Sequence, residues 1–250
     1  MHDSADYATP IYWQSLSLPT LPDALEDYLQ SRIPGSHLRQ SALPLVPEVS
    51  LYLINDDYPR DGLNTEQVEA LMDNPPYWGF CWGSGQGLSR WILDNPDNVK
   101  GKTLVDFGCG SGVVGIAAKL AGAKRVILCD QDEIALAVSR VNAAANGVDV
   151  EFSNALENIS LPPQQSSGTH NSLVTVADVF YDRDNLPLLP RLLQTFDEVL
   201  VADSRLKGQA LAGMEIFSSI TSHTVPDLDE SLEFSQITLY RCVQNNKRYQ

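Results

Sequence analysis

The densest chemistry in this 250-residue chain lies between positions 102 and 130. An apolar run, Lys102-Thr-Leu-Val-Asp106-Phe, leads into Gly108-Cys-Gly110-Ser-Gly112 and then into small apolar residues. That is the pattern of a strand, a tight glycine turn and a helix, with the backbone free to approach a nucleotide-like ligand. A carboxylate at the strand end repels a pyrophosphate but welcomes a cationic sulfonium or an amino-acid ammonium. The segment therefore reads as an S-adenosylmethionine site, with Asp106, Gly108, Gly110 and Gly112 holding the methionine part. Val126-Ile-Leu-Cys-Asp130 ends the next strand in an acid beside the turn, where it can accept from both ribose hydroxyls. The same letters also spell a dinucleotide fingerprint, Gly110-Ser-Gly112-Val-Val-Gly115, with Asp130 twenty residues past its first glycine. The alternative of an NAD-dependent oxidoreductase rests on that spelling, and Asp106 speaks against it.

The reacting end follows from the sheet, because ligands in open α/β sheets lie beyond the carboxyl ends of the strands. The strand Leu173-Val-Thr-Val-Ala177 runs into Asp178-Val-Phe-Tyr181, and one helical turn would bring Asp178 and Tyr181 together. A carboxylate can hold and orient an amine nucleophile, and a phenol adds a hydrogen bond. Trp78, Trp82, Phe180 and Tyr181 can enclose an alkyl-ammonium stem and a sulfonium through cation–π contact, or simply pack in the core. Asn154 closes the strand before, and serves either as an amide partner for the adenine edge or as an ordinary turn residue. Asn74-Pro-Pro-Tyr77 spells a motif that grips planar amides, but that motif follows an apolar strand, and here residues 66–73 have a helical pattern. We read it as a coincidence of letters.

Strand patterns at 102–107, 125–129, 148–152, 172–178, 197–202, 218–225 and 234–242 alternate with helical patterns at 113–121, 132–146 and 186–195. Alternation of this kind implies a parallel sheet covered by helices on both faces. The last two strands are separated only by residues 226–231, so they form an antiparallel hairpin. Upstream, a helix is expected over 23–32, a strand over 49–54, a helix over 64–72 capped by Asn64 or Thr65, and helix toward the end of 84–93. Residues 162–171 read as a polar loop. The expected division is an N-terminal extension over 1–75 and a catalytic domain over 76–250.

The net charge is −15, which disfavours nucleic acid as a general partner and favours a cationic group or a lysine-bearing protein surface. Hydrophobic residues make up 43% and charged residues 20%, an ordinary globular balance. No run of eighteen apolar residues is present, so no membrane partner is expected. The N-terminus lacks a basic-then-apolar leader. The four cysteines (81, 109, 129 and 242) and four histidines show no metal-ligand spacing. A reduced, cytoplasmic, metal-free protein is the expectation.

Asp178-x-x-Tyr181 resembles the D/E-x-x-Y/F motif of a group of seven-β-strand protein lysine methyltransferases. The run 76–93, Pro-Tyr-Trp-Gly-Phe-Cys-Trp-Gly-Ser-Gly-Gln-Gly-Leu-Ser-Arg-Trp-Ile-Leu, is similar to the segment before the glycine motif in their electron transfer flavoprotein β-subunit lysine methyltransferase branch. Pro47-Glu-Val-Ser-Leu-Tyr-Leu53 resembles that branch's N-terminal strand. The likeness spans roughly residues 40 to 242; residues 203–208 match it only loosely, and the first forty have no counterpart. It implies a Rossmann-like, seven-stranded class I S-adenosylmethionine-dependent methyltransferase fold. It implies as well transfer of a methyl group to a lysine ε-amine of a protein substrate, with Asp178 and Tyr181 at the acceptor. A small-molecule N-methyltransferase on the same fold is the alternative.

Overall fold

A computed structural model describes residues 12–59, 64–162 and 171–243. The expected polar loop lies largely outside the described residues, since 163–170 are not among them.

Seven strands form one sheet: β3 (Thr103–Phe107), β4 (Arg125–Cys129), β5 (Glu151–Ser153), β6 (Ser172–Ala177), β7 (Glu198–Asp203), β8 (Glu215–Thr221) and β9 (Gln236–Val243). Their spatial order is β5-β4-β3-β6-β7-β9-β8. The first five are parallel, and β9 runs antiparallel between β7 and β8. The interior parallel strands are buried on both faces, which is why β3, β6 and β7 are almost continuously apolar. Leu104 joins one buried cluster and Val105 the other, so successive residues feed the two layers. This is the Rossmann-like, seven-stranded methyltransferase fold with its antiparallel end.

Helices α3 (Gly83–Asp94), α4 (Val113–Leu120), α5 (Glu133–Ala145) and α6 (Leu188–Thr195) cover the sheet. Asp132 caps α5, its carboxylate accepting from the Ile134 amide at 2.8 Å. Upstream lie α1 (Leu21–Arg32), the hairpin β1 (Leu38–Ala42) and β2 (Ser50–Ile54), and α2 (Thr65–Asp73). Asn64 caps α2 through a reciprocal pair: its side chain accepts from the Gln67 amide, and the Gln67 side chain from the Asn64 amide, both at 2.9 Å. Leu21, Leu25 and Leu29 of α1 bury against Ile134, Val138 and Val141 of α5. Leu51 and Leu53 of β2 enter the same core as Leu88 and Ile92 of α3.

Three elements differ from expectation. Strand β5 starts at Glu151 rather than at residue 148, because Gly147 turns left-handed and the Val148 amide donates back to the Ala143 carbonyl, closing α5. Strand β8 starts earlier and stops at Thr221, with a bulge between Ile216 and Ser218. Residues 222–225 leave the sheet, and Val225 pairs instead with Cys81, amide to carbonyl in both directions at 2.7 and 2.8 Å. Strand β1 was not foreseen, since Leu-Arg-Gln-Ser-Ala on an exposed edge has no apolar alternation.

Among the described residues no helix is long and apolar enough to cross a membrane. The four cysteines are free thiols, three of them buried.

Candidate active site

A cleft of about 810 Å³ opens along the carboxyl ends of β3, β4, β6 and β7, the position the sheet topology calls for. Its floor is the turn between β3 and α4. Gly108 has φ +69°, and a Cβ there would stand 2.8 Å from Val179 Cγ2, so only glycine fits. Gly110 has φ +50° and open space where a Cβ would be, which leaves its backbone bare to the cleft. Asp130 lies beside it. One Asp130 oxygen accepts from the Gly110 amide at 2.9 Å and the other from the Asp132 amide at 3.0 Å. Burial pushes this carboxyl up and the backbone donors hold it back.

Two of the expected ligand contacts are not on the wall. Asp106 shares the β3 face of Leu104, under α4, and is 2% exposed. Its oxygens accept from the Gly115 amide at 2.9 Å and the Thr175 hydroxyl at 3.0 Å. Burial pushes its carboxyl up to about 7. The acid thus braces the strand–helix junction from behind the turn and is not among the residues lining the cleft, unlike the expectation. Gly112 is likewise a packing position: a Cβ there would lie 3.0 Å from Ser139 Cβ, where α4 closes on α5.

At the other end, Asp178 follows β6 in the left-handed region, φ +51°, its amide donating to the Ala202 carbonyl at 3.1 Å. Ser84 donates to both carboxylate oxygens, its hydroxyl at 2.6 Å and its amide at 3.2 Å. Burial pushes the Asp178 carboxyl up to about 7; the Ser84 hydroxyl pulls against that and the charge of Asp203 adds to it. Tyr181 is 42% exposed, with the Arg205 guanidinium 5.7 Å from its ring centre. Burial and the neighbouring Tyr77 phenol push its own phenol up. The helical turn expected between Asp178 and Tyr181 is not formed; the chain bends there, and a short helical turn follows only at Arg183–Asn185, capped by Asp182. Both side chains nevertheless line the one cleft that also holds Gly108, Gly110 and Asp130.

Trp82 lines the cleft, its indole N–H donating to the Tyr77 carbonyl at 2.9 Å and its ring packed against Tyr77 and Phe80. Trp78 borders the cleft from the core, whereas Phe180 is 1% exposed and belongs to the core beneath β6. Asn154 lines the cleft, with its carbonyl oxygen accepting from the Asn158 amide group at 3.0 Å. The residues before Asn74 are helical as read, but Asn74 and Tyr77 themselves border the cleft. Sequence reasoning missed Ser84, Arg205 and the rim residues His223, Thr224, Glu230 and Phe234. The rim is brought over the cleft by the Cys81–Val225 pairing. Arg205 is held there by Glu230 at 2.9 Å and by the Phe234 ring, 4.5 Å from its guanidinium carbon.

The family model for ribosomal protein L11 methyltransferase (PrmA) matches residues 88–180, from α3 through the Asp178 turn. The human electron transfer flavoprotein beta subunit lysine methyltransferase is 39% identical over 140 residues, 56% of this chain and 50% of that protein. The Caenorhabditis elegans homolog is 35% identical over 173 residues, 64% of this chain and 70% of that protein. The chain spans about half the length of the human, rat and mouse relatives that it matches. Among solved structures, the ribosomal protein L11 methylase of Lactobacillus delbrueckii subsp. bulgaricus overlays with a TM-score of 0.45 at 22% identity, covering 65% of this chain and 79% of that one, too loosely to bear on the site. The chain belongs to the electron transfer flavoprotein beta subunit lysine methyltransferase family.

Proposed function

We propose that the protein transfers a methyl group from S-adenosylmethionine to the ε-amine of a lysine in a protein substrate. The observation that carries this reading is one cleft with two chemically distinct ends: a bare glycine turn beside Asp130, and Asp178 with Tyr181 beyond β6. The donor supplies an electrophilic methyl on a sulfonium, and the residues present fit it. Gly108 and Gly110 leave room for the methionine part, Asp130 accepts from the ribose hydroxyls, and Asn154 and Trp82 flank the adenosine. Asp106 supports the site from behind, holding α4 against β3.

Asp178 accepts a hydrogen bond from the incoming amine and aims it, and Tyr181 sets the direction of its lone pair. Alignment of this kind is worth up to ~7–11 kcal/mol in well-oriented systems. The amine must be neutral to attack, and a desolvated lysine beside a sulfonium loses its proton more readily. A carboxylate opposes that loss, so the role assigned to Asp178 is positioning. The relatives' names point to the electron transfer flavoprotein β subunit as the first acceptor to try. The acidic balance favours a protein over nucleic acid, and free cysteines suit a reducing compartment such as the cytoplasm. We assign the chemistry to residues 76–250, with 1–75 as an extension whose helix α1 packs on α5 and whose strand β2 packs on α3.

Incubation with labelled S-adenosylmethionine and purified electron transfer flavoprotein, followed by peptide mass spectrometry, tests the reading. Methyl groups on lysine ε-amines are expected. Tight NADH binding with no methyl transfer to protein would contradict it.

A further inference from the structure

Helix α3 begins without a cap of its own. Trp82 stands at the cap position and supplies no side-chain hydrogen bond, so the first amides of Gly83-Ser-Gly lack a local partner. Asp178, 94 positions later, fills that gap at the Ser84 amide. Ser84 contributes both its hydroxyl and its amide, one to each carboxylate oxygen, at 2.6 and 3.2 Å. The serine is fully buried, so water can reach these bonds only from the cleft side, where Asp178 is partly exposed. Asp178 reaches it from a left-handed backbone, which aspartate adopts more readily than most residues with a side chain. The Ala202 carbonyl anchors its amide, and Ser84 anchors its carboxylate.

We infer that Ser84 is a positioning residue for methyl transfer, aiming the Asp178 carboxylate into the cleft from the first turn of α3. The inference rests on the reading of Asp178 as the group that receives the amine. The groups facing Asp178 make the serine's part distinct. Asp203 at the end of β7 adds like charge, Arg205 beyond it adds opposite charge, Tyr181 faces it from the same turn, and the buried Cys81 thiol lies ahead of α3. Among these, the Ser84 hydroxyl is the strongest influence favouring the ionised carboxylate against burial. The positive end of the α3 dipole acts in the same sense.

The test titrates the Asp178 carboxyl by carbon NMR in protein carrying γ-13C-labelled aspartate, with Asp178→Asn identifying the signal. Ser84→Ala should move the midpoint upward by roughly one pH unit. It should move the acid limb of the methyl-transfer rate by the same amount and leave the Kd for S-adenosylhomocysteine within about two-fold. Ser84→Thr, which keeps both donors, should return the midpoint to the wild-type value. An Asp178 midpoint unmoved in Ser84→Ala, whatever that variant does to thermal stability, overturns the inference. The titration needs no acceptor, so failure of the wild-type protein to methylate lysine would overturn the proposed function separately, without deciding the NMR result.

Discussion

In the proposed reaction Asp178 meets two opposing demands, since a carboxylate that receives a cationic amine has to be ionised and its burial favours the neutral acid. With its carboxyl pushed up to about 7, the ionised fraction rises steeply through neutrality. Methyl transfer should therefore increase with pH up to and beyond 7, and a pH–rate profile flat between 6 and 8 would contradict the assignment. Asp178→Ala should lower the rate by about 10²-fold while donor affinity stays near wild type, and Tyr181→Phe should cost less. Asn74→Ala should retain most activity; if Asn74 proves essential and Asp178 dispensable, the reacting end has been misplaced. Asp130→Ala should instead weaken S-adenosylhomocysteine binding by ~1.5–3 kcal/mol, as calorimetry will measure. That Asp130 and Asp178 face the cleft was legible in the sequence because each closes an apolar strand, and strand ends are where such sheets bind ligands. Asp106 also stands near a strand end, but alternation along β3 turns it under α4, and a one-residue difference in face is not written in the letters. Ser84 was illegible for another reason: its partner lies 94 positions away, and a serine among glycines carries no pattern.

At the scale of elements, the sheet could be read because buried parallel strands are apolar runs separated by amphipathic helices. What could not be read was set by contacts distant in sequence. Nothing in residues 222–225 separates a strand that continues from one that leaves the sheet to pair with Cys81, yet that departure carries the rim over the cleft. The N-terminal hairpin is similarly held by α5. The Asn142 side chain accepts from the Tyr52 amide at 2.6 Å and donates to the Ser111 carbonyl at 2.9 Å, tying β2 to the turn that leads into α4. The Asn146 side chain brackets Ser50 in the same way, accepting from its amide and donating to its carbonyl. Asn142→Ala leaves a donor and an acceptor unpaired at a buried seam and should cost ~1–3 kcal/mol in chemical denaturation. Unchanged stability would mean that the hairpin is not held through this residue.

For the whole molecule, the net charge of −15 and the buried acids act in one direction. Asp106 and Asp178 carry carboxyls raised from 3.8 to about 7, so the folded state binds protons that the unfolded chain has released. Between pH 4 and 7 that preference costs stability as pH rises, and above 7 the contribution is flat. Growing self-repulsion adds to the loss. The Tm should fall by roughly 5 °C between pH 5 and 7.5, and Asp106→Asn should flatten the slope. A Tm that climbs across that window would contradict the burial of these acids. The domain-scale charge and the alternation of strand and helix were plain in the sequence, whereas which acids are buried emerged only from the packing of α4 and α3 on the sheet. The proposed reaction requires a methyl group to reach a lysine from the cleft. Its most direct test follows labelled methyl from S-adenosylmethionine into an extract of proteins, comparing the wild-type protein with Asp178→Ala at matched donor occupancy. Label is expected on lysine ε-amines with wild type and about 10²-fold less with the variant; label absent from protein, or equal in both, would contradict the proposed reaction.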